Sequence, residues 1–189
     1  MKLILASQSP RRKELLGLFH IPFEIRVADI DETMDPNGAP FEEVARVSRC
    51  KALAIAREKE DVLVAADTIV VCQGKILGKP RSKQEALEML QMLSGRDHQV
   101  MTGVTVLHGD AEAVFTEVTD LHFRELSLAE IQRYVDSGEP MDKAGAYGIQ
   151  QKGNLFVEYI HGDYYNVVGF PISKICVTIK ELFGINILY

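Results

Sequence analysis

The chain has 189 residues and a formal charge of −6, from 21 Lys+Arg against 27 Asp+Glu. Its 47% apolar and 25% charged residues are ordinary globular composition, enough for a real core in one domain or two closely packed lobes. The acidic balance argues against a protein that coats a nucleic-acid polymer, and 7% aromatics without Trp argue against an extended base-stacking platform. A pocket for a single nucleotide stays open, because a pocket can differ in sign from the whole surface. The three cysteines, Cys50, Cys72 and Cys176, form no C-x-x-C pair, and the five histidines form no H-x-x-x-H pair. They read as buried small residues and scattered rings, not as disulfides or a zinc site. The longest apolar tract, residues 62–72, is interrupted by Asp67 and is too short for a membrane span. Residues 3–6 are too short for a signal-peptide core, so a cytoplasmic location is expected.

Residues 2–6 read as a short buried strand. A helix over 11–19 follows, with Ser9 as N-cap and Pro10 at the first helical position. Residues 23–27 alternate as a second strand, and 29–40 form an acidic loop with an Asn37-Gly38 turn. Val44, Val47, Leu53 and Ala56 give 41–59 the pattern of an amphipathic helix. A strand over 62–66 continues in character through 68–71, with 75–77 as its hairpin partner. The helix over 82–93 opens on a capping box, Ser82 with Glu85, and stops at Ser94-Gly95. Two long strands, 98–107 and 113–123, form a hairpin around Gly109-Asp110. A second capping box, Ser127 with Glu130, opens a helix over 127–135. A strand over 155–160, a closing helix over 171–183 and a tail strand over 185–188 complete the chain. Interleaved helices and strands make the class α/β, and the long hairpin makes the sheet mixed.

Several segments carry candidate chemistry. Ser7-Gln8-Ser9-Pro10-Arg11-Arg12 links a strand to a helix, where free N–H groups and the helix dipole favour an anion. Arg11, Arg12 and Lys13 stand in the first turn, where cations oppose that dipole. A bound phosphate would resolve the conflict, and solvated surface arginines are the plainer alternative. Residues 1–13 hold four cations and no acidic residue, a local reversal of the overall sign. Asp67 breaks an apolar strand and reads as a paired structural aspartate, a metal ligand or a general base. Gly78-Lys79-Pro80-Arg81 is a rigid cationic turn, and Asp29-Ile30-Asp31-Glu32 is an acidic run of the kind hard cations need. Residues 137–150 are a glycine-rich loop ending in Gln150, whose amide has the donor and acceptor to read a base edge.

Ser7-Gln8-Ser9-Pro10-Arg11-Arg12, Ala66-Asp67-Thr68, Gly78-Lys79-Pro80, Ser137-Gly138-Glu139-Pro140, the run Asp142 to Gln150, and Gly162-Asp163-Tyr164 occur in one order along the chain. Together they resemble the Maf family, also called septum-formation inhibitor proteins. The resemblance spans essentially all 189 residues as a single Maf-like domain. It implies an inosine-triphosphatase-like α/β fold: a mixed twisted sheet with flanking helices and an active-site cleft between two lobes. It also implies a nucleoside triphosphate pyrophosphatase that uses a divalent metal, Mg²⁺ or Mn²⁺. Lys143, Tyr147 and Gly148-Ile149-Gln150 are similar to the branch acting on dTTP, UTP and modified pyrimidine nucleotides.

In that branch the catalytic acceptor falls at Asp67 and substrate discrimination at Arg12, Thr68 and Gln150. Ser7, Glu32, Lys51 and Lys79 match further polar positions of the pocket. The roles expected are triphosphate binding by Arg11, Arg12 and Lys79, and metal binding by Asp67 with Glu32. Whether Asp67 is base, metal ligand or both stays open, because metal binding weakens a carboxylate as a base. The expected partner is the nucleotide, with no nucleic-acid polymer and no membrane, and a homodimer stays open. Two alternatives remain: the 7-methyl-GTP branch, and a non-enzymatic cell-division regulator.

Overall fold

A computed structural model describes residues 1–35 and 37–187. Its elements are β1 (Leu3–Ala6), α1 (Pro10–Gly17), β2 (Phe23–Ile25), α2 (Pro40–Leu53), β3 (Val62–Cys72), β4 (Lys75–Leu77), α3 (Lys83–Leu93), β5 (Asp97–His108), β6 (Ala111–Phe123), α4 (Leu128–Asp136), β7 (Val157–His161), α5 (Tyr164–Val168) and α6 (Ile172–Phe183). The strands form a seven-stranded sheet in the order β2-β1-β3-β5-β6-β7, with β4 paired to β3. β1 runs parallel to β2 and β3, while β3–β4 and β6–β7 are antiparallel. The mixed α/β class expected from the interleaved pattern is therefore the one observed. Among the described residues no helix is long and apolar enough to cross a membrane.

The chain divides into two compact units. The first comprises 1–67, 102–117 and 169–189; the second comprises 68–101 and 118–168. In the first unit the parallel strands β1 and β3 are buried on both faces, which explains their near-continuous apolar runs. The register pairs Ile4 with Leu63 and Ala6 with Ala65. These four residues pack with Ala52, Ile55 and Leu107 into one cluster. Burial of Ile55 explains why α2 ends at Leu53 and does not run on to 59. The chain tightens, with the Ile55 N–H on the Ala52 carbonyl, and leaves the helical path to bury that side chain. Tertiary burial overrides the amphipathic pattern there.

The helix starts show which local signals operate. At α4 the capping box is complete: Ser127 Oγ accepts from the Glu130 N–H, and the Ser127 N–H donates to Glu130 Oε2 at 2.9 Å. Arg124 also binds Glu130, and this hydrogen bond above all holds the Glu130 carboxyl down at about 2. At α3 only half of the box forms. Ser82 Oγ accepts from the Glu85 N–H, but the Glu85 carboxylate turns to the Arg81 N–H at 2.7 Å. At α1 Ser9 occupies the N-cap with Pro10 after it, yet its side chain makes no cap bond. Instead the Ser9 N–H donates to Ser7 Oγ.

Other boundaries move for local reasons. Residues 185–187 form no strand, because Gly184 ends α6 in the left-handed conformation at φ 67°; the last residue of that expected strand, Leu188, lies outside the described residues. Leu155 and Phe156 belong to a 3₁₀ turn, Lys152–Phe156, so β7 starts later than the apolar run. The glycine-rich stretch 137–150 contains two more such turns, Glu139–Asp142 and Ala144–Ala146. The short helix α5 opens after Asp163, whose Oδ1 accepts from the Tyr165 N–H at 2.8 Å, and its five residues are too few to display a helical period.

Two core positions generate predictions. Gly103 on β5 lies against the backbone of α2, and a Cβ there would meet the Val44 carbonyl oxygen at 2.3 Å. Backbone cannot swing aside as a side chain can, so Gly103→Ala forces the helix off the sheet. Thermal or urea unfolding should register a loss of about 1–3 kcal/mol or more.

His98, 3% exposed, packs edge-on against Phe123 and Tyr147 and shares a 2.9 Å hydrogen bond with the Tyr147 hydroxyl. Burial pushes its pKa down from 6.5 to about 4. The unfolded chain therefore takes up this proton as pH falls through 6.5, and the folded protein does so only near 4. Stability from this group is complete above pH 6.5 and is lost as pH falls through 4, on the order of 3 kcal/mol. The dependence of unfolding free energy on pH over that range should be shallower in His98→Gln than in the unmodified protein.

Candidate active site

The site in the first unit forms where β1 ends beside the middle of β3, since Ala6, the last residue of β1, pairs with Ala65. β1 delivers Ser7 to the start of α1, and the run of buried residues in β3 is interrupted by Asp67. Asp67 sits inside one continuous 11-residue strand, with 13% of its side chain exposed. Its Oδ1 accepts from Lys51 Nζ at 2.7 Å. Lys51 also meets Glu32 Oε1 at 3.0 Å, so one ammonium joins two carboxylates. Lys51 stands in the last turn of α2, where a cation is favoured by the helix dipole. On the same helix, Ser48 Oγ bonds Thr105 Oγ1 at 2.8 Å, an anchor one turn before Lys51. Glu32 is more open, about half exposed, on the irregular segment before α2.

Arg12 resolves the charge conflict at the start of α1 in a way the sequence does not display. Its side chain is buried, and Nε donates to the Gly169 carbonyl at 2.8 Å. Nη1 donates to the Ala66 carbonyl at 2.7 Å and to Ser7 Oγ at 3.3 Å. Two carbonyl oxygens and one hydroxyl therefore accept from Nε and Nη1. Burial lowers the Arg12 pKa; Asp67 opposes that shift and Arg11 adds to it. The Ala66 carbonyl belongs to the peptide that joins Ala66 to Asp67, so Arg12 braces the backbone that carries the carboxylate. Arg11 is half-buried in the first turn of the same helix.

The remaining expected site residues belong to the second unit. Thr68 follows Asp67 along β3 and is half-buried. Lys79 is exposed on the segment after β4, and Gln150 is exposed on the turn after Gly148-Ile149. The segments that carry these two are tied together, since the Gly145 N–H donates to the Gly78 carbonyl at 3.0 Å. Gly145 adopts φ 67°, and a Cβ there would meet Val70 at 2.7 Å, so this seat on β3 requires glycine. Lys143 is buried: its Nζ donates to the Glu139 carbonyl and to Asp142 Oδ1, each at 2.7 Å.

The backbone acceptors at Ala66 and Gly169 escaped the sequence reading, because a carbonyl has no residue-type signature. Among the described residues, no group of three or more His, Cys, Asp and Glu side chains is arranged to hold a metal ion.

Beside the end of β1, a lysine-bridged pair of carboxylates and an arginine bonded to backbone carbonyls are thus gathered in one place. Residues 2–182 match the family described as Maf-like protein, and the chain belongs to that family. It is 49% identical over 189 residues to a dTTP/UTP pyrophosphatase of Bacillus anthracis (strain CDC 684 / NRRL 3495), covering 100% of this chain and 98% of the relative. A dTTP/UTP pyrophosphatase of Bacillus cereus (strain ATCC 10987 / NRS 248) is 48% identical, covering 100% and 93%. Among solved structures, the Staphylococcus aureus Ham1 protein is similar at a TM-score of 0.44 and 17% identity, over 65% of this chain and 72% of that one. A nucleoside-triphosphatase / dITP/XTP pyrophosphatase from Mycobacterium abscessus is similar at 0.41 and 15%, over 67% and 76%.

The Lys51–Asp67 ion pair is testable without substrate. Lys51→Met and Asp67→Asn should each lower stability, and the double variant should lose less than the sum of the two. A coupling of about 1–2 kcal/mol in a double-mutant cycle from denaturant unfolding is the expected value.

Proposed function

We propose that this protein is a nucleoside triphosphate pyrophosphatase that cleaves dTTP and UTP, and modified pyrimidine nucleotides, to the monophosphate and pyrophosphate. The observation that carries this reading is full-length identity of 48–49% to relatives named dTTP/UTP pyrophosphatase. The Asp67 cluster supports it, with two carboxylates and a lysine held together beside a braced arginine.

In the reaction a water oxygen bonds to the α-phosphorus, the bond to the bridging oxygen breaks, and pyrophosphate leaves. Asp67 orients this water and accepts its proton, with Lys51 holding the carboxylate in place. Arg11 and Lys79 bind the triphosphate and offset the charge that grows on the leaving pyrophosphate. Arg12 fixes Ser7 and the Ala66 peptide, and through them the position of Asp67. Thr68 and Gln150 read the base; hydrogen-bonded readout discriminates far better than apolar shape.

The donor set fits a divalent cation that arrives with the nucleotide. Two carboxylates converge on one cation, Lys51, and hard divalent ions of this kind take one or two carboxylates plus substrate phosphates. Asp67 and Glu32 would hold it, and when bound it screens the charge of the triphosphate.

Purified protein given dTTP, UTP, CTP, GTP and 7-methyl-GTP with Mg²⁺ should cleave dTTP and UTP best and release pyrophosphate. Chromatographic detection of orthophosphate in its place overturns the reaction class, and preference for 7-methyl-GTP overturns the substrate class. Asp67→Asn should lower kcat by about 100-fold or more in the same assay.

A further inference from the structure

The turn that carries Gln150 is held by a part-buried hydrogen-bond cluster that the reaction chemistry does not use. Tyr134, on α4, is 4% exposed. Its hydroxyl donates to Glu139 Oε1 at 2.9 Å and accepts from the Gly148 N–H at 3.2 Å. The same Glu139 oxygen accepts from the Gly153 N–H at 3.4 Å. Glu139 therefore ties the far side of the turn to the tyrosine that holds its near side. Gly153 is seated against both, since a Cβ there would meet the Gly148 carbonyl at 2.7 Å and the Tyr134 hydroxyl at 2.9 Å. Lys143 closes the cluster: Nζ binds the Glu139 carbonyl, and its Cε lies 2.5 Å from where a Cβ on Gly148 would be. Residues 148 and 153, on either side of Gln150, are thus both bonded to one Tyr–Glu pair.

We propose that Tyr134 and Glu139 are positioning residues for base selection: they set the backbone from Gly148 to Gly153 so that the Gln150 amide meets the base edge of a pyrimidine nucleotide. The inference rests on the pyrophosphatase reading and adds two residues that touch neither phosphate nor base. A buried tyrosine hydroxyl suits this task. Burial and Glu139 raise its pKa, so it keeps its proton and stays a donor across the working range. A side chain on helix α4 is also a firmer anchor than another loop residue.

Tyr134→Phe removes the hydroxyl and keeps the ring, which packs edge-on against Phe156 at 4.9 Å. The expected result is a rise in KM for dTTP and UTP of about tenfold, with kcat within about twofold and the preference for dTTP over CTP reduced about tenfold. Glu139→Leu should behave likewise. Glu139→Gln keeps an acceptor oxygen at the same place and should restore the preference. Amide exchange over residues 147–153, followed by mass spectrometry, should quicken in Tyr134→Phe and Glu139→Leu and stay slow in Glu139→Gln. Unchanged selection in Tyr134→Phe overturns the proposal, whether or not exchange quickens. So does an equal fall in kcat for every nucleotide at constant KM, which is the mark of a merely structural role. A parent protein that cleaves none of the nucleotides removes the function itself, and with it the base-selection role. A parent that selects dTTP, beside a Tyr134→Phe that selects it equally, overturns the positioning role alone.

Discussion

A carboxylate inside a buried strand is the constraint around which the first unit is arranged. Asp67 interrupts the run of buried residues in β3, and leaving a charge there without compensation would be costly. Compensation comes from Lys51, at the end of a helix that begins 27 residues before Asp67 in the chain. The helix must therefore dock at one position along the sheet. Gly103 permits that docking, because any larger residue would press on the α2 backbone at Val44. Electrostatics at Asp67 in β3 and steric fit at Gly103 in β5 thus demand the same placement of one helix.

The same economy appears on the other side of Asp67. Arg12 is buried near a helix N-terminus, where a cation is least welcome, yet its donors meet the carbonyls of Ala66 and Gly169 and the hydroxyl of Ser7. Three segments distant in sequence are held by one guanidinium. Charge that would be unfavourable as surface decoration becomes the brace for the backbone that carries the carboxylate. Lys51 and Arg12 divide the labour, one acting on the Asp67 side chain and the other on the peptide before it.

In the second unit polar contacts tie the loops to one another. The Gly78–Gly145 bond joins the Lys79 segment to the glycine-rich run, and Tyr134 with Glu139 underpins the turn that follows. These polar contacts work beside buried apolar anchors of the same loops, Tyr147, Ile149 and Phe156.

The class of fold, the order of nearly all elements and the complete capping box at Ser127 are written in local sequence, because propensity, capping and periodicity act over a few residues. Asp67 is also visible there, as a charge in an apolar run. The Maf-like motifs add Lys51 and Glu32 as candidates, but nothing in an amphipathic helix pattern or an acidic run says that these two share one ammonium with Asp67. That pairing, the burial of Arg12 on backbone carbonyls, the early end of α2 and the Tyr134–Glu139 cluster belong to the tertiary structure alone. They depend on which distant surfaces meet and which backbone groups are left needing partners. Sequence determined the residues that carry charge and the elements that hold them; three-dimensional packing decided which of those charges are compensated and by what.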